Sequence, residues 1–178
     1  ELYTDAKNAK RLWDLLLDEG GKLGVLPCGL GARDTLRTEA GLPLYGHELR
    51  ADKPALGHPW EFAISFESDF LGKKALEAKR SAGIDYYVYP FVVDGRRKAM
   101  PHWEVLSGGK VTGEVLSGVI APSMENAPIG FAGVSEFLAP GSKVTFRQPG
   151  REGLLEGKTV EIPFVPLTSR KKMGAFLD

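Results

Sequence analysis

The chain has 178 residues, of which 43% are hydrophobic and 26% are charged, a composition typical of globular proteins and unlike that of disordered ones. Because 23 basic residues balance 23 acidic ones, bulk charge does not favour binding to nucleic acid or to an anionic membrane. The single cysteine, Cys28, excludes an internal disulfide, and no cluster of cysteine and histidine predicts a metal site. No apolar run approaches the roughly 20 residues that cross a bilayer. From the balanced charge and the absence of such a run, we expect neither nucleic acid nor a membrane among its partners.

Hydrophobic periodicity predicts three helices in the first half of the chain. The first begins after a capping residue, Thr4 or Asp5, places its apolar side chains on one stripe and ends at a pair of glycines. The second and third are expected at about residues 31–40 and 71–82, each followed by a glycine. A short strand is expected between them, at residues 62–66.

After Gly83 the sequence changes to short β-branched and aromatic runs that are separated by turn residues such as glycine, proline and aspartate. Runs of this length and spacing predict a small antiparallel barrel or sandwich. The expected strands lie at residues 86–93, 103–106, 111–120, 129–134, 143–147 and 159–165.

The second predicted helix carries two arginines on one face. Spacings of three, one and three residues place Leu30, Arg33, Asp34 and Arg37 together, because side chains three and four positions apart are neighbours on a helix. The opposite stripe consists of Ala32, Leu36 and Ala40. Two interpretations stay open: a solvated face on which opposite charges neutralise each other, or a ligand-binding face that presents guanidinium groups.

A continuous stretch around this helix, CGLGARDTLRTEAGLPLYGHEL at residues 28–49, closely resembles a signature of the T-protein of the glycine cleavage system and of related folate-binding domains. Further matches follow in the family's order at residues 69–73, 113–118, 121–123 and 163–165. The resemblance runs the whole length of the chain and is to the C-terminal portion of that family.

The resemblance implies an α+β fold in two parts. Residues 1–83 correspond to the C-terminal part of a folate-binding α/β domain, and residues 84–178 to a small antiparallel β-barrel. Family members carry their catalytic aspartate upstream of the matched region. We therefore expect no catalytic residue and no metal ligand in this chain, and we expect a fragment that is inactive alone.

Four residues are expected to bind substrate or folate. Glu1 corresponds to a family glutamate that binds the pterin, and Arg33 to a substrate-binding arginine. Tyr45 either lines the folate channel or packs within the domain. Some family members place a ligand-contacting tyrosine near the C-terminus, where this chain has Arg170, which is either an anion contact in its place or part of a solvated tail.

The function implied is that of a tetrahydrofolate-dependent aminomethyltransferase. Such an enzyme takes the aminomethyl group from the lipoyl arm of H-protein, releases ammonia and forms the methylene derivative of tetrahydrofolate. The expected compartment is the cytoplasm, or the mitochondrial matrix in a eukaryote. Two alternatives stay open: the folate domain of a related enzyme of dimethylglycine or sarcosine oxidation or of folate-dependent demethylation, and a non-catalytic folate-binding module.

Overall fold

The structure is a computed structural model and describes residues 2–166. Contacts between Cα atoms divide the chain into two compact units, residues 1–33 and residues 34–178. This division falls within a helix, and the domain boundary that we expect near residue 83 stays a prediction. None of the helices in the described residues has the length and apolarity needed to cross a membrane.

The first unit is built on helix α1, Ala6–Gly21. Asp5 precedes it in an extended conformation, and the chain turns directly after it, where Val25 N–H donates to Gly20 O at 3.0 Å. Gly24 makes this turn possible because its φ of +79° is a left-handed conformation that side chains disfavour. The first predicted helix is therefore confirmed, including its glycine terminus.

Helix α2 (Leu30–Glu39) and helix α3 (Lys73–Ala82) confirm the other two predicted helices. A glycine ends each: Gly41 has φ +73° and Gly83 has φ +104°. At the end of α2, Leu42 N–H donates to Arg37 O at 2.8 Å, which satisfies a carbonyl that has no partner within the helix.

The strand predicted at residues 62–66 is wrong. Its place is taken by a short 3-10 helix, Glu61–Ala63, followed by turns. The preceding Trp60 explains the folding of this segment: its indole packs on Phe131 at 5.3 Å between centroids, and its Nε1–H donates to Gly41 O at 2.6 Å. Of the aromatic residues that suggested a strand, Phe66 packs on Phe70 at 6.1 Å between centroids, whereas Phe62 is exposed.

Six antiparallel strands form a closed barrel with the order β1-β4-β3-β2-β5-β6. Closure between β1 and β6 pairs Phe91 with Thr159, Val92 with Lys158 and Val93 with Gly157, which leaves no free sheet edge. The α+β fold class is confirmed, and the barrel is the correct one of the two predicted β architectures. The strands are β1 (Tyr87–Val93), β2 (Glu104–Ser107), β3 (Lys110–Ala121), β4 (Ala127–Val134), β5 (Lys143–Arg147) and β6 (Leu154–Thr159).

The last strand lies earlier than predicted. We expected it at residues 159–165, but β6 ends where that range begins. Pro163 interrupts the later segment and Pro166 follows it directly, and proline has no N–H to donate to a strand. The actual strand, Leu-Leu-Glu-Gly-Lys-Thr, was missed because glycine, glutamate and lysine are uncommon in strands.

The barrel interior is filled by aromatic and β-branched side chains. Phe91 on β1 and Phe146 on β5 are buried, and their ring centroids lie 4.4 Å apart. Such contacts across the interior supply the hydrophobic stabilisation of the second unit. The same core cluster contains Val105, Val115, Ala132, Val134 and Val144.

Close approach of strands β3 and β4 requires glycine. A β-carbon added at Gly113 would overlap the backbone carbonyl oxygen of Gly133 on the neighbouring strand. A backbone atom cannot move aside without disturbing the barrel ladder, so the site accepts no side chain.

We therefore predict that Gly113→Ala lowers the free energy of unfolding by roughly 3 kcal/mol or more, since it overpacks a rigid core. Gly153→Ala is the matched control, because its β-carbon would meet no atom within 4 Å and its φ is not left-handed. Chemical denaturation of the two variants measures the difference. Equal stability of the two would contradict the assigned β3–β4 approach.

His58 is a buried histidine whose two ring nitrogens have no hydrogen-bond partner in the described part of the chain. Its ring packs edge-on against Trp60 and Tyr86, at 6.2 Å and 6.0 Å between centroids. Burial lowers the pKa of His58, and the negative charge of Glu61 opposes that effect only in part. The folded protein therefore favours the neutral imidazole.

This predicts a pH-dependent stability. Because the folded pKa of His58 lies below its value of 6.5 in an unfolded chain, the unfolded state binds the proton first as the pH falls. The free energy of unfolding should decrease below pH 6.5 by at most about 1.4 kcal/mol per pH unit from this group. His58→Phe should remove this pH dependence and change the free energy of unfolding at neutral pH by no more than about 1 kcal/mol. Chemical denaturation of both proteins between pH 5 and 8 measures the two effects. Parallel profiles of the two proteins would show that His58 is not the titrating group.

Candidate functional site

The region of interest begins at Arg37 in the last turn of α2, within the second unit. Its guanidinium uses every nitrogen: Nε donates to Asp34 Oδ1 at 2.8 Å, Nη1 to Glu48 Oε2 at 2.8 Å, and Nη2 to Ser117 Oγ at 3.0 Å. Only 12% of the side chain is exposed. The planar fork of arginine suits this task, because its donors have a fixed geometry.

Glu48 is the fully buried partner of this arginine. One carboxylate oxygen accepts hydrogen bonds from Arg37 and from Leu44 N–H at 2.9 Å, and the other accepts one from the Ser117 hydroxyl. Burial raises the pKa of Glu48, whereas the Leu44 N–H and the charge of Arg37 act in the opposite direction. We call Arg37, Glu48 and Ser117 the buried ion-pair network.

Further bonds hold the same segments together. Glu39, buried at the end of α2, accepts a hydrogen bond from Ser123 N–H at 3.1 Å, and its carbonyl accepts one from Val165 N–H at 3.3 Å. His47 Nδ1 lies 3.0 Å from Leu116 O. The end of α2, the loop that follows it and the barrel are thereby fixed as one frame.

The loop between α2 and the barrel presents Tyr45 to solvent. Its turn is closed by Gly46 N–H, which donates to Leu49 O at 2.8 Å, and it is anchored on both sides by the bonds of Leu44 and His47. Tyr45 itself is 74% exposed. Tyr45 therefore does not pack within the domain in the described residues. Its exposed ring leaves room for a ligand contact, the other role expected for it.

Arg33 differs from Arg37, one turn later on the same helix. Its side chain is exposed, and it has no ion pair or hydrogen bond to any side chain or carbonyl in residues 2–166. Arg33 belongs to the first compact unit and Tyr45 to the second. Glu1 and Arg170, the other two predicted binding residues, lie outside the described residues.

The described residues offer no alternative catalytic centre of the familiar kinds. They contain no group of three or more His, Cys, Asp or Glu side chains that could hold a metal ion. Ser117 bonds to Glu48 and Arg37, and the nearby His47 uses Nδ1 on a backbone carbonyl, so these residues form no nucleophile–base pair. What the arrangement does chemically is to hold a loop and a helix in fixed positions.

The expectation for the α2 face needs one correction. Sequence spacing grouped Arg37 with Arg33 on a face that was either solvated or ligand-binding, yet Arg37 is largely buried and Leu36 of the opposite stripe is 67% exposed. The buried ion-pair network was missed because Ser117 is 80 residues away from Arg37 in the sequence. One sequence signal could have suggested this contact: both residues lie in segments that resemble the family, residues 28–49 and 113–118.

Comparisons with known proteins agree with that resemblance. The family profile described as the GCVT N-terminal domain matches residues 1–68. The chain is 39% identical over 169 residues to an aminomethyltransferase of Cutibacterium acnes, covering 92% of this chain and 44% of that protein. It is 37% identical over 167 residues to an aminomethyltransferase of Symbiobacterium thermophilum, with the same coverage of 92% and 44%.

A solved structure is also similar. The glycine cleavage system aminomethyltransferase T from Bartonella henselae superposes with a TM-score of 0.75 at 26% identity, over 88% of this chain and 44% of that one. The resemblance to the T-protein family is thus confirmed in sequence and in fold. The chain spans less than half the length of the relatives that it matches.

The network predicts opposite outcomes for the two arginines of α2. Arg37→Met should lower the free energy of unfolding by roughly 3 kcal/mol, because it leaves the carboxylate of Glu48 buried without its charged partner. Arg33→Met, at an exposed position, should change it by no more than about 0.5 kcal/mol. Thermal or chemical denaturation of both variants makes the comparison. Similar losses at the two sites would contradict the different environments assigned to them.

Proposed function

We propose that the protein carrying this chain, which the comparisons relate to the T-protein family, is an aminomethyltransferase of the glycine cleavage system. The observation that carries the proposal is the similarity to curated aminomethyltransferases, at 39% identity over 169 residues in one case. In the proposed reaction the one-carbon unit passes from an aminomethyl-lipoyl group to tetrahydrofolate, and ammonia is released.

Arg33 is the first binding residue in this proposal. Its guanidinium has no partner in the described part of the chain, and a guanidinium fork can hold a carboxylate or a ring carbonyl of a folate or donor group. Arg37 is unsuitable for the same role because Asp34, Glu48 and Ser117 already occupy its donors. The free guanidinium of α2 is therefore the one that the resemblance assigns to substrate.

Tyr45 is the second binding residue. It is exposed on a loop whose backbone is fixed by the buried ion-pair network, so a ligand that stacks on its ring loses little loop entropy. Glu1 would bind the pterin through two hydrogen bonds to one carboxylate, and Arg170 would contact an anionic group. In this proposal the four residues bind and orient the folate and the donor group and transfer no proton.

When tetrahydrofolate is bound, it supplies the nucleophilic nitrogen that accepts the one-carbon unit. Holding that nitrogen against the donor carbon is a matter of positioning, which contributes several kcal/mol in such reactions in general. We assign proton transfer to an aspartate outside this chain, in the part of the relatives that the chain does not cover. The chain alone should therefore lack activity.

The partner in this proposal is lipoylated H-protein, which delivers the donor group, and the compartment is the cytoplasm or the mitochondrial matrix. A related folate enzyme would instead use a methylated amine such as dimethylglycine or sarcosine as donor. Assays of the full-length protein with each donor distinguish the two, because only an aminomethyltransferase releases ammonia from aminomethylated H-protein.

Arg33→Lys in the full-length protein should raise the KM or Kd for tetrahydrofolate or the donor at least about tenfold, since lysine keeps the charge but removes the planar fork. Little change in Tm is expected, because the side chain is exposed. Arg11→Lys, an exposed arginine of α1 without an ion pair in the described residues, is the control. Steady-state kinetics or calorimetry will measure the effect. If Arg33→Lys and Arg11→Lys behave alike, Arg33 is not a ligand contact.

A further inference from the structure

Three aromatic rings form a wall: the half-buried Tyr87 and Tyr89, which pack against the barrel core cluster, and the exposed Phe137. Tyr87 and Tyr89 lie two residues apart on β1 and stack at 6.0 Å between centroids, with 18° between their planes. Phe137 stands nearly perpendicular to both, at 5.9 Å and 6.3 Å. Phe137 is 70% exposed, which is unusual for a ring that makes two such contacts.

The wall borders a cleft of about 530 Å³ whose charged lining is acidic. Glu61 and Glu161 line it together with prolines and aliphatic side chains, and no lysine or arginine does so among the described residues. Glu61 is paired with Arg80, whereas Glu161 is exposed and has no ion pair to any described residue. His58 also lines the cleft, and burial keeps it neutral by lowering its pKa.

A third carboxylate lies beside the wall. Glu136 directly precedes Phe137, and its Oε1 is buried without a hydrogen-bond partner in the part of the chain that the structure describes. Its negative charge reaches Tyr89, whose pKa is raised mainly by burial and further by Tyr87 and Glu136. Glu136 does not line the cleft, but its negative charge near Tyr89 would add long-range attraction for a cation bound there.

We propose that this cleft, walled by Tyr87, Tyr89 and Phe137 and lined by Glu161, binds a small organic ammonium ion. Ring faces attract cations through their quadrupole, and the acidic rim adds Coulombic attraction. An anion is disfavoured by the carboxylates, and a neutral apolar molecule gains nothing from them. The site involves none of the residues assigned to folate or to the aminomethyl donor, so it is independent of the proposed function.

The test uses choline as probe and 3,3-dimethylbutan-1-ol as its neutral isostere, which has carbon in place of the charged nitrogen. Both are titrated into the full-length protein while the aromatic side-chain signals are followed by NMR. We expect saturable shifts with choline at the signals of Tyr87, Tyr89 and Phe137. The neutral isostere should bind at least about threefold more weakly, on the scale of an exposed cation–π contact.

Two variants and one matched control locate the site. Phe137→Leu and Glu161→Gln should each weaken choline binding roughly threefold or more. Phe62→Leu, at a phenylalanine that is 84% exposed outside the cleft, should leave it unchanged. The proposal is overturned if choline gives no saturable shifts at these rings, if the neutral isostere binds equally well, or if Phe137→Leu and Phe62→Leu give the same affinity.

Discussion

The buried carboxylate of Glu48 is the group on which the positions of α2, the following loop and the barrel depend. A charge without solvent contact is tolerated only when donors replace its hydration. Here those donors come from three places: the guanidinium of Arg37, the backbone N–H of Leu44 and the hydroxyl of Ser117. Because each donor must reach the same carboxylate, the helix end, the loop and strand β3 have little freedom relative to one another.

That constraint also decides which arginine of α2 is available for binding. The two guanidiniums share one face in the sequence pattern, but only Arg37 lies within reach of Glu48 and Ser117. All three of its donor nitrogens bond to Asp34, Glu48 and Ser117, whereas the exposed side chain of Arg33 has no partner in residues 2–166.

Patterns among neighbouring residues predicted the three helices and most of the barrel strands. Helical periodicity and terminal glycines placed α1, α2 and α3, and alternating runs placed most of the barrel strands. The failures were the segment around Glu61–Ala63, where Trp60 packs instead of pairing, and β6, whose sequence is poor in strand-forming residues. Both depend on partners distant in the chain, and no window of neighbouring residues contains that information.

The candidate site was predictable in a similarly uneven way. The resemblance pointed to segments that meet in the structure, but the side chains that connect them are structural: Glu39 accepts from Ser123 N–H, and Ser117 joins Arg37 to Glu48. Spacing alone could not assign these pairs, because hydrogen bonds between residues 69 to 84 positions apart leave no periodic signal.

Segments that build a frame are shared by every enzyme that uses the frame, whatever donor it accepts. The features that select one donor over another must then lie among groups that the frame leaves unbonded. Among the described residues the ring of Tyr45 meets that condition, since it is exposed on a loop that the bonds of Leu44 and His47 hold in place. Under the proposed function, substrate choice is therefore expected to follow the loop tip that presents Tyr45, and to be insensitive to conservative changes in the barrel core.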